Sequence, residues 1–289
     1  MIGILNLRKP AGVTSRDVVN QVQRLVRPAK VGHAGTLDPL ASGVLVVCVG
    51  SATRLIEFAQ DTRKTYHATF LLGRESDTDD IEGVVQLVEG APIPTRETIE
   101  AASCGFLGTI EQVPPAYSAV KVAGRRAYAL ARAGQKVELA ARPVEIHRLT
   151  IVRYQYPELE LDIECGSGTY VRSLGRDLAQ AVGAKGIMSA LVRSSVGCFT
   201  LETAVDAATL TPENIARHLL PPRMAVGRLP ATELSNIEAA RIARGQTIEA
   251  RGGLDVSSDV AAIDAAGDLL AILVSRGEGR LGPRINLLV

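Results

Sequence analysis

Tryptophan is absent from this 289-residue chain, and aromatic residues of all kinds make up only 3% of it. Stacking on a flat ligand must therefore fall to a few Tyr, Phe, His and Arg side chains. Strong charge of either sign is missing too, with a formal net charge of +1. That excludes a uniformly basic nucleic-acid binder, so a case for RNA has to rest on local charge. The four cysteines, Cys48, Cys104, Cys165 and Cys198, stand far apart with no C-x-x-C pair. Cys48 and Cys165 sit in apolar, strand-like runs where buried thiols are expected. The histidines show neither H-x-H nor H-E-x-x-H spacing, so no metal centre is expected. Arg8 and Lys9 follow a very short apolar start, which argues against a signal peptide. The longest aliphatic run, around Val44 to Val49, is far too short to span a bilayer. Together these absences predict a protein of the reducing cytoplasm, with no metal, no cofactor and no membrane partner.

What remains is a 46% hydrophobic fraction, ample for a core, on a length that suits one large domain and one small one. Residues 1–7 read as a strand ending at Lys9-Pro10. Thr14 or Ser15 can cap a helix whose apolar positions Val18, Val19, Val22, Leu25 and Val26 share one face. A Gly- and Pro-punctuated loop from Gly32 to Gly43 feeds a buried strand over 44–49. Further strands are predicted at 65–72, 144–152 and 159–165. In the last of these Leu159, Leu161, Ile163 and Cys165 alternate with acids. A helix over 169–182 follows, with Val171, Leu174, Leu178 and Val182 on one stripe. Pro221-Pro222 and the residues to Pro230 read as a linker. Beyond it come a helix at 235–244 and strands at 260–264 and 269–275, a small α+β module within the usual range of domain sizes.

Four stretches can carry chemistry. In Gly32-His33-Ala34-Gly35-Thr36-Leu37-Asp38-Pro39-Leu40-Ala41-Ser42-Gly43, three glycines allow close backbone approach and Pro39 fixes the turn after Asp38. Asp-Pro is also an ordinary turn dipeptide, and no Gly-Lys-Ser/Thr follows, which disfavours a phosphate cradle. Gly166-Ser167-Gly168-Thr169-Tyr170-Val171-Arg172 lacks the third glycine of a dinucleotide fingerprint. Arg172 would place a cation in the first turn of a helix, where the dipole favours anions, so a carboxylate or phosphate partner is called for. From Lys121 to Lys136 the chain carries Lys121, Arg125, Arg126, Arg132 and Lys136 with no acid among them. On one continuous helix Lys121, Arg125, Arg132 and Lys136 would share a face beside Tyr128, a stripe that suits RNA backbone contact. Gly124 and Gly134 make such a helix conditional. Ser76-Asp77-Thr78-Asp79-Asp80 fails as a calcium loop and reads as a solvated acidic turn.

These pieces, in this order, resemble the TruB family of tRNA pseudouridine synthases. The likeness runs from Lys9-Pro10-Ala11-Gly12-Val13-Thr14-Ser15 through the Asp38 loop, Lys64-Thr65-Tyr66 and the Asp77-to-Asp80 turn. It continues in Pro114-Pro115-Ala116-Tyr117-Ser118-Ala119-Val120-Lys121 and Gly168-Thr169-Tyr170-Val171-Arg172, and reaches the tail through Arg244-Gly245-Gln246 and Arg280-Leu281-Gly282-Pro283-Arg284. The resemblance implies an α+β pseudouridine-synthase fold with a central mixed, mostly antiparallel sheet flanked by helices and loops. It places the catalytic domain at 1–225, with an RNA-gripping thumb at about 114–139, and a small PUA-like domain at 228–289.

Its activity would be isomerisation of uridine 55 in the T-loop of tRNA, by a monomer that needs no guide RNA. Asp38 would be the nucleophile, Tyr66 the stacking tyrosine, and Arg172 the arginine that keeps Asp38 charged and orients it by a bidentate contact. His33 would hold the opened loop, Leu191 would line the pocket, and Asp80 would join the network around Arg172. Lys9, Lys64, Tyr170, Lys121, Arg125, Arg126 and Arg132 are the further RNA-facing candidates. The reaction breaks N1–C1′ and joins C5 to C1′, importing no group. Two readings of other kinds compete: a subunit working only inside a guide-RNA particle, and a tRNA-binding or tRNA-folding module whose catalysis is incidental. A nucleoside-cleaving hydrolase using Asp38 would instead release free uracil.

Overall fold

The computed structural model describes residues 1–288 apart from 119, 123 and 136, with the backbone alone at Lys121, Arg126, Ala129 and Arg132. It is an α+β architecture built on one large mixed sheet. The principal strands are β1 (Gly3–Lys9), β2 (Ser42–Val49), β3 (Lys64–Leu72), β4 (Gly108–Gln112), β5 (Arg142–Gln155), β6 (Glu158–Cys165), β7 (Gly186–Val196) and the short β8 (Val205–Asp206). Their order across the sheet is β8-β1-β2-β7-β3-β6-β5-β4. The β1–β8 and β2–β7 pairs are parallel and the others antiparallel.

The alternating pattern of β6 works as the sequence suggests: Leu159, Leu161, Ile163 and Cys165 are buried, and the acids between them face outward. The same alternation buries Lys64, Tyr66, Ala68, Phe70 and Leu72 of the adjacent β3. Burial pushes the thiol of Cys48 up to about 12 and that of Cys165 up to about 11, so both behave as small apolar side chains.

Helix α1 (Ser15–Val26) is capped by Thr14, whose hydroxyl accepts from the Asp17 amide while the Asp17 carboxylate returns a bond to the cap, a reciprocal box. Its buried Val18, Val19, Val22 and Val26 pack with Leu5, Leu7, Leu45 and Val47. Helix α2 (Arg96–Ser103) and helix α3 (Val171–Ala181) pack with the central strands. Gly175 lets α3 come down directly onto β3, because a Cβ there would lie 1.9 Å from the Phe70 ring. That contact fixes the height of Arg172 above the sheet.

Two expectations are corrected. The basic run does not form one helix. Lys121–Val122 and Arg125–Arg126 make a small hairpin turning at Gly124, which has φ +82°, and among the described residues of the run the only helical piece is Ala127–Arg132. A left-handed glycine ends helical continuity there, and the single basic stripe goes with it. Lys136 lies outside the described residues. The residues after Pro221 are not a loose linker either. Pro222–Val226 is a 3-10 turn whose Ala225 and Val226 are buried in one cluster with Ile4, Val44 and Leu55 on one side and Ala261, Leu269 and Ile272 on the other.

The C-terminal region is a five-stranded sheet of Ala231–Glu233, Ile248–Glu249, Val260–Ile263, Leu269–Ser275 and Arg280–Asn286, with helix Asn236–Ala243. It shares that cluster with the large sheet. Among the described residues no helix is long and apolar enough to cross a membrane, which leaves β-barrels unaddressed.

Candidate active site

The loop between α1 and β2 is held by its own neighbours in sequence. Leu37 and Ala41 are buried on either side of the turn. The Ser15 hydroxyl accepts from the Leu37 amide (2.8 Å) and donates to the Leu37 carbonyl (3.0 Å). Between these anchors Asp38 stands with 38% of its side chain exposed, the most accessible member of an otherwise closed ion cluster. Arg172, in the first turn of α3 and 6% exposed, places Nη2 3.1 Å from Asp38 Oδ2 and Nη1 3.2 Å from Asp80 Oδ2. It also donates to the carbonyls of Thr78 (2.7 Å) and Tyr117 (3.0 Å).

The bidentate contact expected between Arg172 and Asp38 is therefore not the one formed. The guanidinium fork is split between two carboxylates, because Asp80 competes for its second arm. Asp80 in turn is no solvated turn acid. Its side chain is 3% exposed, and it accepts from the Thr78 hydroxyl (2.5 Å) and the Glu82 amide (3.0 Å). Its neighbour Asp79, at φ +61°, pairs with Arg176 at 2.8 Å.

Tyr66 on β3 and Leu191 on β7 lie in the same buried cluster as Leu37 and Ala41, so strand pairing brings them to the Asp38 loop. Burial raises the Tyr66 phenol above its ordinary pKa, against the lowering influence of the nearby Arg193 guanidinium. His33 belongs to a short strand (Val31–His33) paired with β2, and its Nδ1 is buried with no hydrogen-bond partner among the described residues. Desolvation, with Arg16 and Arg193 nearby, lowers its pKa and favours the neutral ring. Tyr170 caps α3 through its backbone. The buried Gln112 accepts from the Tyr170 amide (2.8 Å) and donates to its carbonyl (3.1 Å). The Arg142 guanidinium sits 5.0 Å from the Tyr170 ring centre.

Lys9 and Lys64, expected to be exposed for RNA, are instead buried. Lys9 is fully buried, and Nζ donates to the carbonyls of Pro10 (2.9 Å), Val13 (2.6 Å) and Pro39 (3.4 Å). Lys64 Nζ donates to those of Gln60 (2.6 Å) and Thr62 (2.7 Å). Burial pushes both ammonium groups down to about 8. Lys9 spends all three of its donors on backbone carbonyls and Lys64 two of its three, so both lysines act as internal braces. Arg125 is exposed on the hairpin; the side chains of Lys121, Arg126 and Arg132 fall outside the described residues.

Sequence reasoning misses Arg193 and Gln112. A lone Gln at the end of a strand carries no signal. Arg193 does carry one: it alternates with Leu191 toward the apolar side of β7, an odd place for a charge.

Residues 23–171 match the model of the TruB family pseudouridylate synthases, N-terminal domain. The tRNA pseudouridine synthase B of Bradyrhizobium diazoefficiens is 44% identical over 98% of this chain and 84% of its own. The chain belongs to the TruB family. It is therefore a pseudouridine synthase, an isomerase. The namesake enzyme of an Arthrobacter species is 42% identical over 95% of this chain and 93% of its own. Among solved structures, a chain from a crystal structure of a Cbf5-Nop10-Gar1 complex superposes with a TM-score of 0.74 at 24% identity, covering 96% of this chain and 79% of that one. At that identity the likeness speaks for the fold alone, and it is the pseudouridine-synthase fold.

Proposed function

We propose that this TruB-family protein isomerises uridine 55 in the T-loop of tRNA to pseudouridine, as a monomer without a guide RNA. The observation that carries the reading is a reachable carboxylate, Asp38, fixed by a nearly inaccessible guanidinium, Arg172, at 3.1 Å. The tRNA substrate is supported by relatives, 40–44% identical, that bear the name tRNA pseudouridine synthase B.

The target base lies inside a folded loop and has to be everted, at a cost of a few kcal/mol. Stacking on an aromatic ring recovers about 1–3 kcal/mol, and Tyr66 is the ring beside the Asp38 loop. Leu191 closes the apolar side of the pocket, and His33 occupies space in the opened T-loop. Asp38 has to be negative to attack the sugar or to stabilise positive charge at C1′, and Arg172 favours that charge. The N1–C1′ bond breaks, the uracil turns in place, and C5 joins C1′. The C5 proton departs and N1 gains one, so the product has the mass of the substrate. Tyr170, the hairpin arginines Arg125 and Arg126, and Arg132 at the end of the helical turn that follows contact the T-arm. In this reading residues 1–225 form the catalytic domain and 228–289 a PUA-like RNA-binding domain.

Purified protein incubated with a synthetic T-stem-loop, and no other RNA, should convert one uridine to a C-glycoside with no change in mass. Turnover only after addition of a second RNA would point instead to a guide-dependent subunit, and release of free uracil to a hydrolase. Replacing Arg125, Arg126 and Arg132 together by Ala should weaken stem-loop binding and lower the salt slope by about 1 for each phosphate no longer neutralised. An unchanged slope would remove the hairpin from the RNA interface.

A further inference from the structure

Arg193 heads the largest fully buried side chains among the described residues, at 1% exposed. No carboxylate is in salt-bridge contact with it among those residues. Burying a guanidinium is costly unless hydrogen bonds replace its water, and a hydrocarbon of similar volume usually fills such a site with less strain on stability. Its bonds all go one way. Nε donates to the Val44 carbonyl (2.8 Å), Nη2 to that of Gly35 (3.1 Å) and Nη1 to that of Thr36 (3.5 Å). These carbonyls bracket the segment that presents Asp38.

The backbone of Arg193 grips the same segment. It pairs with Gly43, which has φ +108°, and a Cβ at Gly43 would come 2.2 Å from the Arg193 carbonyl oxygen. On its other side Arg193 stands in register with Tyr66 on the neighbouring strand, and its positive charge acts on the buried Tyr66 phenol. One side chain thus joins the Asp38 loop to the tyrosine beside it.

We propose that Arg193 is a positioning residue of the isomerisation, fixing the backbone that presents Asp38 and the hydroxyl of Tyr66 relative to one another. The proposal rests on the reading of Asp38 and Tyr66 as substrate-contacting residues.

The test uses the full chain and the T-stem-loop, with single-turnover rate, RNA affinity and thermal melting measured for Arg193→Lys and Arg193→Met. Lysine keeps the charge, but its single compact ammonium cannot span the separate Val44, Gly35 and Thr36 carbonyls as the planar guanidinium does. Its single-turnover rate should fall about a hundredfold, the scale of a displaced reacting group, while the stem-loop Kd stays within about threefold. The Met variant should fall at least as far. In the Arg193→Lys background the further loss from Tyr66→Phe should shrink, because the two changes act on one arrangement. A merely structural arginine would leave the Tyr66→Phe factor unchanged. An Arg193→Lys rate within threefold of the parent, a Kd that weakens in step with the rate, or an unchanged Tyr66→Phe factor each overturns the proposal. An active Asp38→Asn protein, run alongside, would be a different failure, that of the Asp38 reading itself.

Discussion

Arg172 and Arg284 each divide one guanidinium between two carboxylates, yet they do different work. Arg172 is 6% exposed and joins Asp38 and Asp80 beneath a reachable carboxyl group. Arg284, on the last strand of the C-terminal sheet, is 41% exposed and joins Glu57 (2.7 Å) and Asp259, with the Phe58 ring centre 5.3 Å away. Its ion pairs are the shorter of the two sets. Distance is therefore not what separates them; solvent is. Water screens the Arg284 cluster and leaves it a modest latch between the C-terminal sheet and the short helix Ile56–Gln60 that carries Glu57. Arg172 and Asp80 lie out of water, so each of these two charges depends on the other, and Asp38 alone of the three reaches solvent.

Three substitutions can break or sharpen this contrast. The largest effect is expected for Asp38→Asn, which keeps the shape and removes the charge. The isomerisation rate should fall by about four orders of magnitude or more, with stem-loop affinity nearly unchanged by filter binding. Retained tRNA-refolding activity in that variant would give the folding-module reading its footing. Asp80→Ala comes next. Stripping a buried guanidinium of one carboxylate should cost about 3–5 kcal/mol of stability, read from denaturant midpoints. A cost near zero would mean the cluster is wetter than its burial implies. Arg284→Ala should shift stability by no more than about 1 kcal/mol and leave the rate alone. A loss as large as that of Asp80→Ala would end the distinction between the two clusters.

The residues that speak in the sequence are those whose signal is local. Alternation marks β6, glycine and proline mark the Asp38 loop, and a cation at a helix start calls for an anionic partner that proves to be Asp38 with Asp80. Features made by distant contact stay silent. Arg193 shows locally only as a charge on the apolar side of β7, and the carbonyls that receive it lie about 150 positions away along the chain. The Lys9 and Lys64 ammonium groups suggest RNA on motif alone, whereas folding turns them onto nearby carbonyls. Pro221-Pro222 announces a break in regular structure, but a break says nothing about whether the next residues pack. The final strand hides behind Pro283, which lies at a register irregularity opposite Leu273, where a missing amide is tolerated.

The pairing of Asp38 with Arg172 is tested most directly by a double-mutant cycle on the single-turnover rate with a T-stem-loop. Asp38→Asn, Arg172→Lys and the double variant are measured beside the parent. If the pair works as one unit, Arg172→Lys alone is slow and the double variant is no slower than Asp38→Asn alone. If the two losses multiply, carboxylate and guanidinium act separately, and the account built on their contact is wrong.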